Sequence, residues 1–343
     1  MKITIADRLK PFSHKPGHLV MIPGTLWKVK AFPTALVFID DQGSELEFSL
    51  EVMGPVKLFT VEQDLESKMI RIYGEAIQGY FRLSVSCQES SLILRFEKTP
   101  STGLAIDGKT FFSGDVLEVS KGSVIAFKKP FQERLFLGLS KKKECDFIRR
   151  RRDLREILPL WYTLGAITPS TETRDFAFLT QAIEKKEKKI VHDFFLEAYL
   201  AHFSEGFVPR DKDEERQGLF SLTGFSKCLL QQGASFIRSL FFQEKEDGFY
   251  ILPCLLSLFV SGKMVNLKAE SGCVFDLEWT KHRLRKMFIS VEKDQMLKLH
   301  FPSDVESFRL KTFFKDRGKL FSGKGTEIIV KAGDKLWFDL FQK

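Results

Sequence analysis

From Val20 to Lys98 apolar and polar positions alternate in short runs. VMIPGTLWKVKAF, ALVFIDDQGSELEFSL, MIRIYGEAIQGYFRLSVS and SLILRFEK alternate or run apolar, with Gly, Pro, Asp and Ser turns between them. A period of two places successive side chains on opposite faces of a strand. Asp115 to Phe127 reads as a hairpin turned at Lys121-Gly122. Short strands at this spacing predict an antiparallel β-sandwich over residues 1–140.

The period changes near Lys141. In DFIRRRRDLREILPLWYTLG, Phe147, Leu154, Ile157 and Leu158 fall at helical spacings, with Asp146 as N-cap and Pro159 as the boundary. Further helices are expected over Thr171 to Lys186, Ile190 to Phe203 and Leu222 to Gln232, the last stopping at Gly233. From Phe236 strands return: FIRSLFFQ, GFYILP, GCVFDLEW, RLRKMFISV, MLKLHF and EIIVKAGDKLWFDLF. The expected fold is therefore α+β and multidomain. An N-terminal antiparallel β-sandwich (1–140) precedes a short α-helical domain (141–245) and a C-terminal antiparallel β-sandwich (246–343). Residues 107–127 also echo residues 316–338: Val119, Gly122 and Phe127 align with Val330, Gly333 and Phe338. Two unrelated hairpins explain this, as do two sandwiches ending in the same kind of hairpin.

Composition narrows the picture only a little. With 343 residues, 43% of them hydrophobic, the chain is long enough for two or three domains with real cores. Phe is abundant, 35 copies against 5 Tyr and 4 Trp. Phe cannot hydrogen bond, so these rings suit cores better than open sugar-binding platforms. The net charge of +8 allows an acidic partner. Cys87, Cys145, Cys228, Cys254 and Cys273 are scattered and never spaced as CxxC, so neither a disulfide framework nor a zinc site is expected. No apolar signal follows Met1, and the run Phe249–Val260 is shorter than the roughly 20 residues of a bilayer span. A cytoplasmic protein without membrane contact, metal or cofactor is the expectation.

The run Ser226–Ser290 carries a family likeness. A helix ending in LLQQG leads to Leu252-Pro253-Cys254-Leu255, then a Gly-containing strand, then Asp276-Leu277-Glu278-Trp279. This resembles the join between the catalytic barrel and C-terminal sandwich of inverting α-L-fucosidases, glycoside hydrolases with a six-hairpin α/α barrel. The resemblance covers about the last third of the chain and implies a remnant of that barrel in the middle. It implies a glycoside-hydrolase-related scaffold with a carbohydrate-binding role. The family's catalytic Asp lies in an Ile-Asp-Gly-Asn-Phe-Gly loop before the last barrel helix. Here GLFSLTGFSKC stands in its place, with Gly224-Phe225 alone echoing it, so no catalytic residue is carried over. Residues 141–245 are also far too few for twelve helices. Another copy of the chain could complete the ring as a homo-oligomer.

Inverting hydrolysis needs two carboxyl groups about 6.5–9.5 Å apart. The densest acidic patch follows Pro209-Arg210 and includes Asp211 and Asp213, which serve equally as a solvated loop with Asp213 as an N-cap. Arg210, Trp161 and Tyr162 are the candidate sugar contacts, the rings by stacking, although core packing explains the two aromatics more simply. Asp193 and Glu197 share a helical face, as surface charges do. His192 and His202 fall too far apart around one helix to be joint metal ligands. A rival reading rests on Lys141–Arg155, with three Lys and five Arg. Arg149, Arg150, Arg151 and Arg152 could clamp an acidic partner, a nucleic acid or a protein. Asp146, Asp153 and Glu156 lie among them and can pair with them instead. No known nucleic-acid-binding motif accompanies the stretch.

Overall fold

The computed structural model describes residues 3–120, 124–126, 132–169, 176–204, 206–210, 226–312, 316–323 and 325–342. The fold is mixed α+β, with sandwich-like β regions at either end and a short helical middle. The N-terminal part holds β1 (Phe12–Ser13), β2 (His18–Met21), β3 (Lys28–Phe32), β4 (Ala35–Ile39), β5 (Glu45–Ser49) and β6 (Lys57–Asp64). It continues with β7 (Met69–Ala76), β8 (Gly79–Gln88), β9 (Ser91–Lys98), β10 (Leu104–Ile106), β11 (Lys109–Phe111) and β12 (Val116–Ser120). A six-stranded sheet, β1-β6-β7-β8-β9-β12, faces a four-stranded sheet, β2-β3-β4-β5, and β10 pairs with β11. The alternation does what its period requires: Ile70, Ile72, Leu83, Val85, Leu92 and Leu94 point inward against Val29, Ala31, Leu36 and Phe38.

β13 (Arg134–Phe136) precedes the helices α1 (Cys145–Arg151), α2 (Leu154–Ile167), α3 (Ala177–Glu184), α4 (Lys188–His202) and α5 (Ser226–Phe241). The remaining strands are β14 (Phe242–Lys245), β15 (Gly248–Ile251), β16 (Ser261–Lys268), β17 (Cys273–Thr280) and β18 (Arg283–Val291). β19 (Gln295–His300), β20 (Ser307–Lys311), β21 (Lys319–Ser322), β22 (Gly325–Val330) and β23 (Lys335–Gln342) complete them. They form sheets β13-β16-β17-β18-β23-β20-β21 and β14-β15-β19-β22. Their pairings are antiparallel except β15 with β19. β13 belongs to the C-terminal sheet although it comes before every helix. Helices and C-terminal sheets share one apolar core, while the N-terminal sandwich has its own.

Several boundaries differ from the sequence expectation. The first helix is two helices: Glu144, not Asp146, occupies its N-cap, and Arg152 adopts a left-handed φ of 52° that ends α1. Asp153 then caps α2 by accepting the Arg155 amide at 3.0 Å. Pro159 lies inside α2 and does not bound it. α3 starts at Ala177; Thr171-Glu172 are outside the described residues. α5 runs through Gly233 to Phe241, so FIRSLF is helix and not strand. The reason is packing: a Cβ at Gly233 would lie 2.5 Å from the Trp161 ring, so glycine is there to let α2 approach. Gly333 links β22 and β23, which lie in different sheets, so the second echoed segment is no hairpin. The Lys121-Gly122 turn lies outside the described residues.

Asp276 to Trp279 lies within β17. The buried Asp276 accepts the Asn266 amide at 2.8 Å, where β16 bulges and Asn266 has a φ of 58°. Trp279 stacks on Phe241 of α5 at 5.3 Å and donates its indole N–H to the Phe259 carbonyl at 3.1 Å. The motif thus joins the C-terminal sheet to the last helix. At the other end, residues 3–12 strap across the molecule. Lys263 Nζ donates to the Thr4 carbonyl at 3.1 Å, Arg134 donates to the Ile5 and Asp7 carbonyls, and Leu9 enters the core shared by the helices and C-terminal sheets.

Candidate functional site at the Arg210 cleft

A cleft of about 370 Å³ opens between the β2–β5 sheet and the segment after α4. One wall comes from β3, whose alternation buries Val29 and Ala31 and turns Lys28 and Lys30 outward. The β4–β5 turn adds Asp41 and Glu45. Asp40 fixes that turn by accepting the Ser44 amide at 2.7 Å and the Gln42 amide at 2.9 Å. Slight desolvation works against ionisation of Asp40, but these amide bonds outweigh it and hold its carboxyl below the usual range.

The facing wall is formed by residues 203–204 and 206–210, folded back on α4. Ser204 N bonds to the Val208 carbonyl at 2.9 Å, and Arg210 N to the His202 carbonyl at 3.0 Å. Two guanidinium groups lock it. Arg210 Nε and Arg149 Nη1 each donate to the Phe203 carbonyl at 3.0 Å, and Arg149 Nη2 takes the Leu200 carbonyl at 3.0 Å. Cations at a helix C-terminus also complement its dipole. Gly206 sits where the walls touch: a Cβ there would lie 2.7 Å from the Leu19 carbonyl oxygen. Within the cleft, Lys28, Lys30 and Arg210 meet Asp41 and Glu45. The Ser204 hydroxyl is buried and has no hydrogen-bond partner among the described residues.

Of the residues singled out in the sequence, Arg210 lines this cleft. Asp211 and Asp213 follow it directly but lie outside the described residues. Trp161 and Tyr162 do not reach it. They are 0% and 1% exposed because α2 continues past Pro159 and carries them into the core. Trp161 packs on Phe195 and Phe203 and donates to the Leu230 carbonyl at 2.9 Å. The Tyr162 hydroxyl donates to Glu133, which also pairs with Arg238 at 3.1 Å. Burial, then the Glu133 charge, pushes the Tyr162 pKa well above its ordinary value. Stacking on a sugar by either ring is therefore corrected.

The four arginines do not form one ridge. Arg149 caps α4, Arg151 pairs with the buried Glu156 at 2.6 Å, and Arg152 ends α1, which leaves Arg150 over the Phe147 ring at 4.6 Å. Arg155 and Lys143 are likewise taken up by Asp153 and Asp7, each at 2.8 Å. His192 bonds to Asp193 at 3.0 Å, and His202 is buried. Among the described residues no cluster of His, Cys, Asp and Glu could hold a metal. No described helix is long and apolar enough to cross a membrane. Sequence reasoning missed Lys28, Lys30, Asp41, Glu45 and Ser204. The outward positions of β3 were the available signal, but alternation does not say what an outward face meets.

Fold and cleft together describe a mixed α+β protein with a polar recess between its sandwich and its helices. Compared with known proteins, the chain matches no family model and no curated protein.

Proposed function

We propose that this is a carbohydrate-binding protein on a glycoside-hydrolase-related scaffold, with its ligand in the Arg210 cleft. The observation that carries the reading is the buried Ser204 hydroxyl, with no hydrogen-bond partner among the described residues, beside a recess lined by Arg210, Lys28, Lys30, Asp41 and Glu45. A buried polar atom left unpaired is costly, and a ligand hydroxyl satisfies it. Donors and acceptors side by side suit a polyhydroxylated ligand, whose groups both give and take hydrogen bonds. The placement of Asp276–Trp279 against α5 agrees with the barrel-to-sandwich join that the resemblance implies.

Binding fits the described residues better than catalysis does. Every described carboxylate with a displaced pKa is displaced downward, as for Asp40, Asp64, Asp153 and Asp339. An inverting hydrolase needs one raised instead, to serve as proton donor near neutrality. The rival reading, an acidic partner on the basic helix, has less to work with, because Arg149, Arg151 and Arg155 are committed within the chain.

The test is a neutral glycan panel followed by calorimetry on the best binder. Arg210→Ala and Ser204→Ala should each weaken it about tenfold, roughly 1.4 kcal/mol. Binding that neither variant changes, or a panel without any binder, overturns the proposal.

A further inference from the structure

A second groove, of about 530 Å³, shares no lining residue with the Arg210 cleft. It lies between the α3–α4 turn and the loops beside β15 and β19. Its floor is apolar, made by the buried Leu252 and Leu255 and the half-buried Pro253. Its rim is cationic. Lys186 and Lys188 are exposed, and neither forms an ion pair within 4.0 Å among the described residues. Lys245 also lines the groove, 2.9 Å from Glu184. Among the described residues the groove's carboxylates are Glu184, already engaged by that lysine, and Asp304.

Two histidines add to the rim. His282 Nε2 lies 2.7 Å from the Ser257 carbonyl, and His300 Nε2 lies 3.0 Å from the Asp247 carbonyl. A carbonyl only accepts, so Nε2 carries the proton in both rings. His300 is held flat against Tyr250 at 4.4 Å. The backbone is unusual here as well. Lys186, Leu252 and His282 line the groove with left-handed φ of 58°, 50° and 61°. Non-glycine residues keep such conformations only when their surroundings impose them, and they gather at ligand sites.

We propose that this groove binds a small organic phosphate monoester, with the dianion held by Lys186 and Lys188 and the carbon body over Pro253 and Leu255. Among the described residues no arginine lines the groove, so the planar fork that favours a carboxylate is not offered there. Ammonium groups on separate residues suit a phosphate, whose oxygens point in several directions.

The experiment is calorimetry on the full chain with phenyl phosphate, inorganic phosphate and benzyl alcohol. Phenyl phosphate should bind, inorganic phosphate should bind about tenfold more weakly, and benzyl alcohol should not bind. The double variant Lys186→Gln with Lys188→Gln removes charge from exposed side chains. With unchanged circular dichroism, it should lose about tenfold or more of the phenyl phosphate affinity. Arg210→Ala should leave that affinity intact, which separates this site from the proposed sugar cleft. Equal binding by the double variant, binding of inorganic phosphate as tight as that of the ester, or no ester binding at millimolar concentration would each overturn the proposal.

Discussion

Replacing Gly165 by Ala probes the α2–α5 crossing directly. A Cβ at Gly165 would sit 2.1 Å from the Leu230 carbonyl oxygen, where ordinary contact begins at 3.4 Å. That oxygen belongs to backbone and cannot swing aside, so the helices would have to part by about 1 Å in a close-packed interior. The same oxygen accepts the Trp161 indole N–H at 2.9 Å, and parting strains that bond. In an ordinary helix, Gly to Ala gains about 1 kcal/mol. Here overpacking costs about 1–3 kcal/mol, and leaving the buried indole N–H unpaired costs about another 1–3. The net expectation is a loss of roughly 1–5 kcal/mol, opposite in sign to helix propensity. Urea denaturation followed by far-ultraviolet circular dichroism measures it. Ser235→Ala, on the exposed side of α5, is the control and should stay within about 0.5 kcal/mol of the parent. A Gly165→Ala protein as stable as the parent would refute the crossing geometry.

Two further outcomes follow from ion pairs. Burial would raise the Asp64 pKa, but Lys10 at 2.6 Å, the Ser67 amide and Arg71 at 2.8 Å outweigh it and hold it far below 3.8. A depressed folded pKa gives stability that is present above the unfolded value and lost as pH falls through the folded one. Asp64→Asn should therefore narrow the stability lost between about pH 4 and pH 2, and an acid titration as steep as the parent's contradicts this. In the basic stretch, Arg149→Ala should cost about 1–3 kcal/mol of thermal stability by uncapping α4, whereas Arg150→Ala should cost under about 0.5. Equal losses in the two melts would show that Arg149 is no cap.

The strands were the most legible part of the sequence, because a period of two is a local signal and β7 and β9 bury every second residue as that period requires. Helix ends were read less well, and for a common reason. Pro159 and Gly233 are punctuation in an isolated chain, but both lie inside helices whose packing outweighs the local cost. Phe236, Ile237, Leu240 and Phe241 fit a helical face, and their aromatic richness made them resemble a strand. Arg210 was found because it stands beside an acidic patch. Its partners Lys28 and Lys30 lie far away in sequence on β3, and only tertiary structure brings the two walls together. For Trp161 and Tyr162 core packing was the simpler reading and their burial bears it out; the sugar-stacking alternative fails because α2 runs past Pro159 and carries both rings inward.

The strap formed by residues 3–12 bears on the order of events during synthesis. Thr4 and Lys263 are 259 positions apart, and Arg134 stands 129 positions after Ile5. During synthesis Lys10 can meet Asp64 as soon as β6 has emerged, whereas the Thr4 contact must wait for Lys263. The strap is thus fastened in stages, its β1 end on β6 first and its Thr4 end on β16 only after the helices have been made.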